Sequence, residues 1–457
     1  MTGVTTEPAT LRPVLPLVIV AIATCLALVV FTAPLTTLDA MTASLGLSAG
    51  EQAWVMSAMP LGAACGLLTA GALGDTLGRR RTFVGGLWLT AMSSVLAALA
   101  WNSVVLILMR IVQGLGSAGI MACGLGLLGQ IYAGPARQRA AAIWAAALGG
   151  GVAAGPLLAS GLLLIGGWQA VHWLIVAISG ALAVMARARL PESPRGGDRV
   201  DLAGSLLLIL GLACLLSALI ELRVGTAGLV TLLLAAAWIL LLGFVLYERR
   251  ASNPILQVDL FRYADFSGAT LAAFASGAGV LALMSMVPTV LVRGLGLSPL
   301  ISAVILLAWS GVTVLSALAA GLLPNRIGAR TRVIASILGC AFGQLLLFAA
   351  SAGSAWAVVL PGLFVAGISN GILNASLGHA AVQTVPAERA AMGSAANNTA
   401  RYLGSALGIA MISVLIAGDG RFFAGWHIAV LVTSAFSLTG VLAILLLKGD
   451  RGSASTA

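Results

Sequence analysis

Five polar residues interrupt an otherwise apolar stretch near the carboxyl end of the chain. They are spaced i, i+3, i+4, i+7 and i+11, which places them on one face of a helix: Ser394, Asn397, Asn398, Arg401 and Ser405. In lipid, such a face must meet protein or a water-filled cavity. Arg401 is the residue of this face that could bind an anion or a substrate dipole. An interhelical hydrogen-bond network that only holds helices together explains the pattern equally well.

Asn370 and Asn374 precede this stretch in the chain, are four residues apart, and could face Arg401 from the neighbouring helix. A third group shares one face of an earlier apolar stretch, where Arg110, Gln113 and Ser117 are spaced i, i+3 and i+7. An intramembrane arginine usually faces a cavity or a protein partner. The alternative is that Arg110 extends its side chain to the lipid headgroups.

Acidic residues are scarce where proton chemistry would need them. Asp39 lies at the outer end of the first apolar stretch, and no Asp or Glu lies deep inside any stretch. Asp39 is therefore the only candidate proton carrier in that stretch. The chain also lacks a phosphate-binding Gly-x4-Gly-Lys-Ser/Thr loop, a nucleophile–base set and any metal-ligand spacing, so we expect no enzyme activity, no metal and no cofactor.

Composition identifies the solvent that surrounds these groups. Of the 457 residues, 60% are hydrophobic and 8% are charged, and the mean hydropathy is +1.07. A soluble domain is about one quarter charged, so composition excludes a soluble protein. The net charge of +10 does not indicate nucleic-acid binding, because the arginines lie between apolar segments instead of forming one basic face.

Fourteen apolar segments are long enough to cross a hydrocarbon core of about 30 Å, which takes about 20 helical residues. They span approximately 14–38, 52–74, 82–100, 103–132, 138–164, 168–186, 201–221, 225–247, 266–292, 298–322, 331–352, 354–382, 387–416 and 425–447. The sequence thus predicts an all-α membrane protein with fourteen transmembrane helices.

The distribution of positive charge predicts orientation. Nineteen of the 24 basic residues lie in the two tails and in the loops after even-numbered segments, and only Arg223, Arg293 and Arg421 lie in the other loops. The positive-inside rule then places both termini in the cytoplasm.

An internal repeat appears at an offset of 250 residues. Gly71 and Gly78 correspond to Gly321 and Gly328, and Arg139 corresponds to Arg389. We therefore expect two six-helix bundles of the same orientation, at 1–190 and 251–457, with a helix pair inserted at 191–250. Two such halves are typical of transporters whose site lies at mid-membrane.

The loop after the second segment resembles the signature of the major facilitator superfamily, Gly-x-Leu-small-Asp-Arg-x-Gly-Arg-basic. It is carried here by Gly71, Leu73, Asp75, Gly78, Arg79 and Arg80, with Thr76 in place of the usual Arg. The fourteen segments resemble the drug:proton antiporter branch of that superfamily.

Two further motifs support the same resemblance. Arg110, Gln113 and Gly114 match its Arg-x-x-Gln-Gly motif. Gly151-x-x-x-Gly155-Pro156 is similar to the antiporter motif, although Ala159-Ser160 replaces two glycines.

The resemblance implies roles for these residues. Gly71, Asp75, Gly78, Arg79 and Arg80 would form a cytoplasmic latch, and Arg110 would influence the coupling of proton and substrate. Gly151, Gly155 and Pro156 would form a hinge or a sealed seam. For each group a purely structural role is the alternative: a positive-inside charge cluster for the first and helix packing for the last.

We therefore expect an inner-membrane secondary exporter of hydrophobic small molecules or drugs, monomeric, embedded in the lipid bilayer and driven by proton antiport. An exporter or facilitator of one metabolite, anionic if Arg110 or Arg401 binds it, is the first alternative. A non-transporting membrane sensor or assembly partner is the second.

Overall fold

A computed structural model describes residues 14–193, 201–224, 226–252, 254–256, 258–320, 327–383, 390–416 and 422–447. Its helices are α1 Val14–Thr32, α2 Pro34–Leu45, α3 Ala49–Leu77, α4 Arg79–Ala98, α5 Ser103–Ile131, α6 Gly134–Gly166, α7 Gln169–Arg189, α8 Leu202–Val224, α9 Ala227–Glu248, α10 Ala264–Ser276, α11 Ala282–Thr289, α12 Pro299–Ala319, α13 Ala329–Leu346, α14 Leu360–Gln383, α15 Ala390–Ile416 and α16 Phe422–Leu446. Short 3-10 turns lie at Val258–Arg262, Leu347–Ala349 and Trp356–Val359.

The predicted fold class is confirmed. Within the described residues, thirteen helical spans are long and apolar enough to cross a membrane. The remaining predicted span is α4, whose hydropathy is lowered by Arg79, Arg80 and Arg81 in its first turn. This helix nevertheless packs lengthwise against α5 and α7, so it belongs to the same bundle as its neighbours.

The first span is not the single continuous helix predicted over 14–38. It breaks at Ala33, where Pro34 begins α2, because proline has no N–H to continue the helical hydrogen bonds. Helix α2 then extends to Leu45 and ends at Gly46, which has a φ of +65°.

The ninth span, predicted as one helix over 266–292, is one helical span but is not α-helical throughout. It runs from Ala264 to Gly294 through two π-helical turns, Gly277–Leu281 and Val290–Gly294. Such wide turns are frequent at functional sites.

The two bundles repeat one packing scheme. Helix α3 packs on α5 as α12 packs on α14, and α4 contacts α5 and α7 as α13 contacts α14 and α16. Helix α1 lies along α6 as α10 lies along α15. Two sequence landmarks of the repeat, Gly321 and Arg389, lie outside the described residues.

The bundles meet along two seams, α3 with α15 and α6 with α12. The inserted pair α8 and α9 packs on itself, and α8 also contacts both α3 and α15. The α3–α15 seam is filled by small and aliphatic side chains, among them Leu61, Cys65 and Leu68 of α3, Leu208, Leu212 and Leu216 of α8, and Ala396, Ala406 and Ala410 of α15. The domain boundaries at 190 and 250 remain predictions.

Glycines allow two helices to approach closely in each bundle. A Cβ on Gly151 of α6 would lie 2.2 Å from the carbonyl oxygen of Cys25 in α1, and one on Gly155 would lie 2.0 Å from Thr32 Oγ1. In the second bundle, a Cβ on Gly404 of α15 would lie 2.2 Å from the carbonyl oxygen of Phe274 in α10. Both pairs of helices therefore touch through their backbones.

This packing predicts opposite effects for two adjacent substitutions. Gly151→Ala should lower the free energy of unfolding by about 1–3 kcal/mol, because the new methyl group overlaps α1. Gly150→Ala, with no atom within 4 Å of its Cβ position, should instead be neutral or stabilising by up to about 1 kcal/mol. Thermal unfolding of both variants in detergent measures the difference, and equal midpoints would contradict the contact.

Candidate functional site

A small cavity of about 40 Å³ lies between the two bundles. Side chains from α1, α6, α10, α12, α14 and α15 and from the first π-helical turn line it: Leu28, Phe31, Leu148, Gly149, Val152, Ser276, Leu281, Trp309, Ser310, Thr313, Asn370, Asn374, Arg401 and Tyr402. The first bundle contributes only apolar residues and a glycine. All of the polar groups come from the second bundle.

Arg401 is the only charged residue among those lining the cavity. Its Nη1 donates a hydrogen bond to Oδ1 of Asn374 at 2.7 Å, and its guanidinium lies 5.7 Å from the ring centre of Tyr402. Its Nε is buried and has no hydrogen-bond partner among the described residues. This N–H is thus an unsatisfied donor on a residue that lines the cavity.

Trp309 supplies a second unused donor. Its Nε1 is buried and, within the described part of the chain, makes no hydrogen bond. Asn370 lies one helical turn before Asn374 and also lines the cavity. No signal in the sequence marks Trp309 as a cavity residue, because a tryptophan inside an apolar segment looks like any other core residue. Two donors in an apolar enclosure favour a hydrophobic ligand that carries hydrogen-bond acceptors.

Tyr402 connects the cavity to the first bundle. Its ring contacts Phe31 edge to face, with 6.5 Å between ring centres, and its hydroxyl lies 3.6 Å from Sδ of Met121 in α5. The ring of Tyr402 therefore joins the donor-bearing wall to the apolar wall.

The predicted polar face of α15 does not act as a unit. Arg401 enters the cavity, whereas Asn397 donates to the carbonyl oxygen of Ala269 in α10 at 3.0 Å. Asn398 is not among the cavity-lining residues. Ser405 is fully buried, and the side chain of Ser394 lies outside the described residues.

Arg110 is fully buried in the first bundle and does not reach the headgroups. Its Nη1 donates to the carbonyl oxygen of Val30 at 2.6 Å. Pro34 lacks the N–H that would otherwise bond to this oxygen. Further contacts of 3.4 Å reach the carbonyl oxygens of Phe31 and Val55. Arg110 therefore binds the α1–α2 break to α3 and α5.

Gln113 extends this network. Its Oε1 accepts from Arg110 at 3.1 Å, and its Nε2 donates to Ser94 Oγ at 2.9 Å and lies 3.4 Å from Nδ1 of His172. Gly114, the next residue, has no room for a Cβ, which would lie 2.2 Å from the carbonyl oxygen of Met59. None of these residues lines the cavity.

Asp39 forms an ion pair with Arg293, which lies at the end of the ninth span in the opposite bundle. Arg293 also donates to Oε1 of Gln52 at 2.9 Å. These contacts join the two bundles at the end of the molecule where α2 ends and α3 begins. Arg293 is 254 residues from Asp39, and no local pattern could have predicted their contact.

At the opposite end, the loop motif surrounds the start of α4. Asp75, in the last turn of α3, pairs at 3.0 Å with Arg79, the first residue of α4. Gly78 between the two helices has a φ of +109°, a conformation that favours glycine. Around Gly71, by contrast, no atom is found within 4 Å of the Cβ position. Gly74 makes the close approach instead, to Sγ of Cys123.

Glu192, which follows α7, completes this cluster and was missed by the sequence analysis. It accepts from the backbone N–H of Arg80 at 3.0 Å and forms ion pairs with the side chains of Arg80 and Arg81. Ser193 accepts from the N–H of Arg79 at 2.8 Å. A carboxylate at a helix start is favourable, especially where three arginines crowd that end. Glu192 is 112 residues from Arg80 in the sequence, so no local pattern indicates this role.

The predicted hinge residues all lie against the first span. Gly151 accepts a 3.4 Å hydrogen bond from Thr32 Oγ1, and the carbonyl oxygen of Pro156 accepts one of 3.2 Å from Thr36. The segment of α6 that contains Gly151, Gly155 and Pro156 thus packs beside the α1–α2 break.

Comparison with known proteins agrees with this architecture. The family model described as Major Facilitator Superfamily matches residues 20–409. Multidrug resistance protein Stp of Mycobacterium tuberculosis is 29% identical over 370 residues, which are 80% of this chain and 68% of Stp. Methylenomycin A resistance protein of Bacillus subtilis is 29% identical over 423 residues, 91% of this chain and 90% of that protein.

The crystal structure of the human organic anion transporter MFSD10 has the same fold, with a TM-score of 0.63 and 16% identity, covering 96% of this chain and all of that one. Two six-helix bundles around a central cavity, the loop motif and the match over most of the chain lead to one assignment. The chain is a multi-pass membrane transporter of small molecules that belongs to the Major Facilitator Superfamily.

Proposed function

We propose that this transporter exports hydrophobic small molecules, drugs among them, across the plasma membrane of a bacterium in exchange for protons. The single observation that carries the proposal is the central cavity, apolar on one wall and bearing unused donors on the other. The similarity to proteins named for multidrug and methylenomycin A resistance supports export of drug-like molecules.

The charge of the cavity narrows the substrate class. Arg401 lines it and no carboxylate does, among the residues described there. A strongly cationic molecule would meet uncompensated repulsion from Arg401, whereas a neutral or weakly acidic molecule can accept a hydrogen bond from its Nε. We therefore propose hydrophobic substrates with an acceptor group, such as a carbonyl, facing Arg401.

Alternating access requires the interface between the two bundles to open at one end while it is closed at the other. The Asp39–Arg293 pair holds the bundles together at one end, which the positive-inside rule makes the extracellular one. The loop of Gly71, Asp75, Gly78, Arg79 and Arg80 lies at the cytoplasmic end and acts as the latch there. Gly151, Gly155 and Pro156 form the pivot of α6 on the first span. The transporter works as a monomer with both termini in the cytoplasm.

Proton coupling rests on the resemblance to drug:proton antiporters. Asp39 is the carboxylate that a proton would neutralise to release Arg293 and open the extracellular end. Four further residues contribute to coupling by fixing the positions of their helices, because none of them lines the cavity: Arg110, Gln113, Asn397 and Asn398.

One observation favours a second candidate. A single arginine with an unpaired Nε in an apolar cavity also suits an amphipathic carboxylate. Export of one anionic metabolite is therefore the alternative, and a substrate panel that includes organic anions distinguishes it from export of many unrelated compounds.

The proposed function predicts uptake into everted membrane vesicles that contain this chain. Several unrelated hydrophobic compounds should accumulate when the vesicle interior is made acidic, and a protonophore should abolish this accumulation. Vesicles without the chain are the control. Accumulation that survives collapse of the gradient would contradict proton antiport, and no accumulation of any compound would contradict export.

Arg401→Ala should raise the KM of transport by about 10- to 100-fold for substrates with an acceptor group, because a hydrogen bond to a charged donor contributes about 1.5–3 kcal/mol. Substrates that lack such a group should be affected less. Arg262→Ala is the matched control, since Arg262 is exposed and pairs with Asp259 at the surface, away from the cavity. Equal losses for both substrate types would assign Arg401 a structural role.

The Asp39–Arg293 pair predicts a charge-reversal rescue. Asp39→Asn or Arg293→Gln should increase the outward-open population severalfold, because a partly exposed pair contributes up to about 1 kcal/mol. The double variant Asp39→Arg with Arg293→Asp should restore the wild-type distribution. Spin-label distances across the extracellular ends, on a cysteine-free background, measure it. An unchanged distribution in the single variants would remove the gating role.

A further inference from the structure

The inserted helix pair carries two carboxyl groups that no step of the proposed transport cycle uses. Asp201 lies directly before α8 and Glu248 is the last residue of α9. Because the two helices pack antiparallel, these residues meet at one end of the pair. This is also the end at which α3 enters the loop motif, since Thr69 of α3 donates to Ser205 Oγ of α8 at 2.9 Å.

Gly204 leaves the space in which the two carboxyl groups meet. A Cβ on Gly204 would lie 2.3 Å from Oε1 of Glu248 and 2.5 Å from Oδ2 of Asp201. Both oxygens are buried, and neither has a hydrogen-bond partner among the described residues. Glu248 as a whole is only 3% exposed, so water does not solvate its carboxyl group.

The other two oxygens have structural roles. Oδ1 of Asp201 accepts from the N–H of Gly204 at 2.8 Å, at the start of α8. Oε2 of Glu248 accepts from the N–H of Leu256 at 3.2 Å, which holds the segment after α9 against the pair. Each carboxyl group thus uses one oxygen for the backbone and presents the other to its neighbour.

Among the described residues, no neighbouring side chain neutralises two negative charges at this position. From α9, Tyr247 faces Asp201, and from α3 the neutral Thr69 reaches Ser205. Arg249 and Arg250 follow Glu248 but are exposed. Two ionised carboxylates in this enclosure would repel each other without compensation.

We propose that Asp201 and Glu248 hold one proton between them, as a carboxyl–carboxylate pair, and form a proton-binding site separate from the central cavity. The proton occupies the gap beside Gly204 and satisfies both unpartnered oxygens with one hydrogen bond. Aspartic protease dyads show that two adjacent carboxyl groups can share a proton in this way.

The position of the site gives this proton a consequence. Helix α8 packs on both α3 and α15, the helices of one seam between the bundles. Loss of the proton leaves two like charges between the start of α8 and the end of α9 and drives these ends apart. The inserted pair therefore stabilises the α3–α15 seam, and this stabilisation is greatest when the site is protonated.

The stability of the purified full-length chain in detergent tests the proposal without any substrate. A proton held more tightly by the folded than by the unfolded chain makes stability fall as the pH rises. The thermal midpoint of wild type should therefore fall between about pH 5 and about pH 8, above the range in which an unperturbed Glu titrates. Glu248→Gln should flatten this fall, because a neutral amide can donate to Asp201 and still accept from Leu256.

Asp201→Asn is the second variant, since asparagine preserves the helix-capping oxygen while removing the shared proton. Glu221→Gln, at the opposite end of α8, is the matched control and should retain the wild-type pH dependence. Infrared difference spectra should show a protonated carboxyl band near neutral pH in wild type and in the control, and its loss in both pair variants.

Three results would overturn the proposal: equal pH dependence in wild type and both variants, no protonated carboxyl band near neutral pH, or stabilisation of wild type by Mg²⁺ or Ca²⁺ that the variants lack. The last result would assign the pair to a metal cation. These readouts need no transport, so they are independent of the outcome of the vesicle experiment.

Discussion

The bilayer penalises a buried polar group that has no partner inside the protein, and this constraint explains the best-connected parts of the structure. The clearest case is the break in the first span. Pro34 leaves the carbonyl oxygen of Val30 without a helical donor, and the guanidinium of Arg110 supplies one. A charge that would be costly in lipid and a helix defect that would be costly in lipid compensate each other. The result is a rigid connection among α1, α3 and α5.

Within each bundle, close packing replaces the hydrophobic effect as the source of helix association, because lipid tails are as apolar as the helix surfaces. Backbone contacts through Gly151, Gly155 and Gly404 serve this purpose. Between the bundles the packing is different: small and aliphatic side chains fill the α3–α15 seam, and cross-bundle polar contacts cluster near the cavity and at the Asp39 end. Rigid-body rocking requires the two bundles to move against each other along these seams.

The cavity divides its chemistry between the two bundles. The first bundle supplies an apolar wall. Its buried arginine, Arg110, makes hydrogen bonds inside the bundle and does not line the cavity. The second bundle supplies Arg401, Trp309 and two asparagines, with donors left unused. The two halves of the repeat therefore differ in chemistry: Gly151 packs against α1, whereas Arg401, 250 residues later, faces the cavity.

Sequence alone determined the membrane class, the number of spans and the twofold repeat, because lipid imposes a length and a composition on every span. It also singled out Arg110, Asn374 and Arg401, since a polar residue in an apolar segment is visible without a structure. Tertiary structure alone decided which of these face the cavity: Arg401 and Arg110 look alike in sequence, but only Arg110 meets a carbonyl freed by Pro34. Contacts over long separations, such as Asp39 with Arg293 and Glu192 with the start of α4, had no local signal, because their partners come from different helices whose packing angles the sequence pattern does not specify.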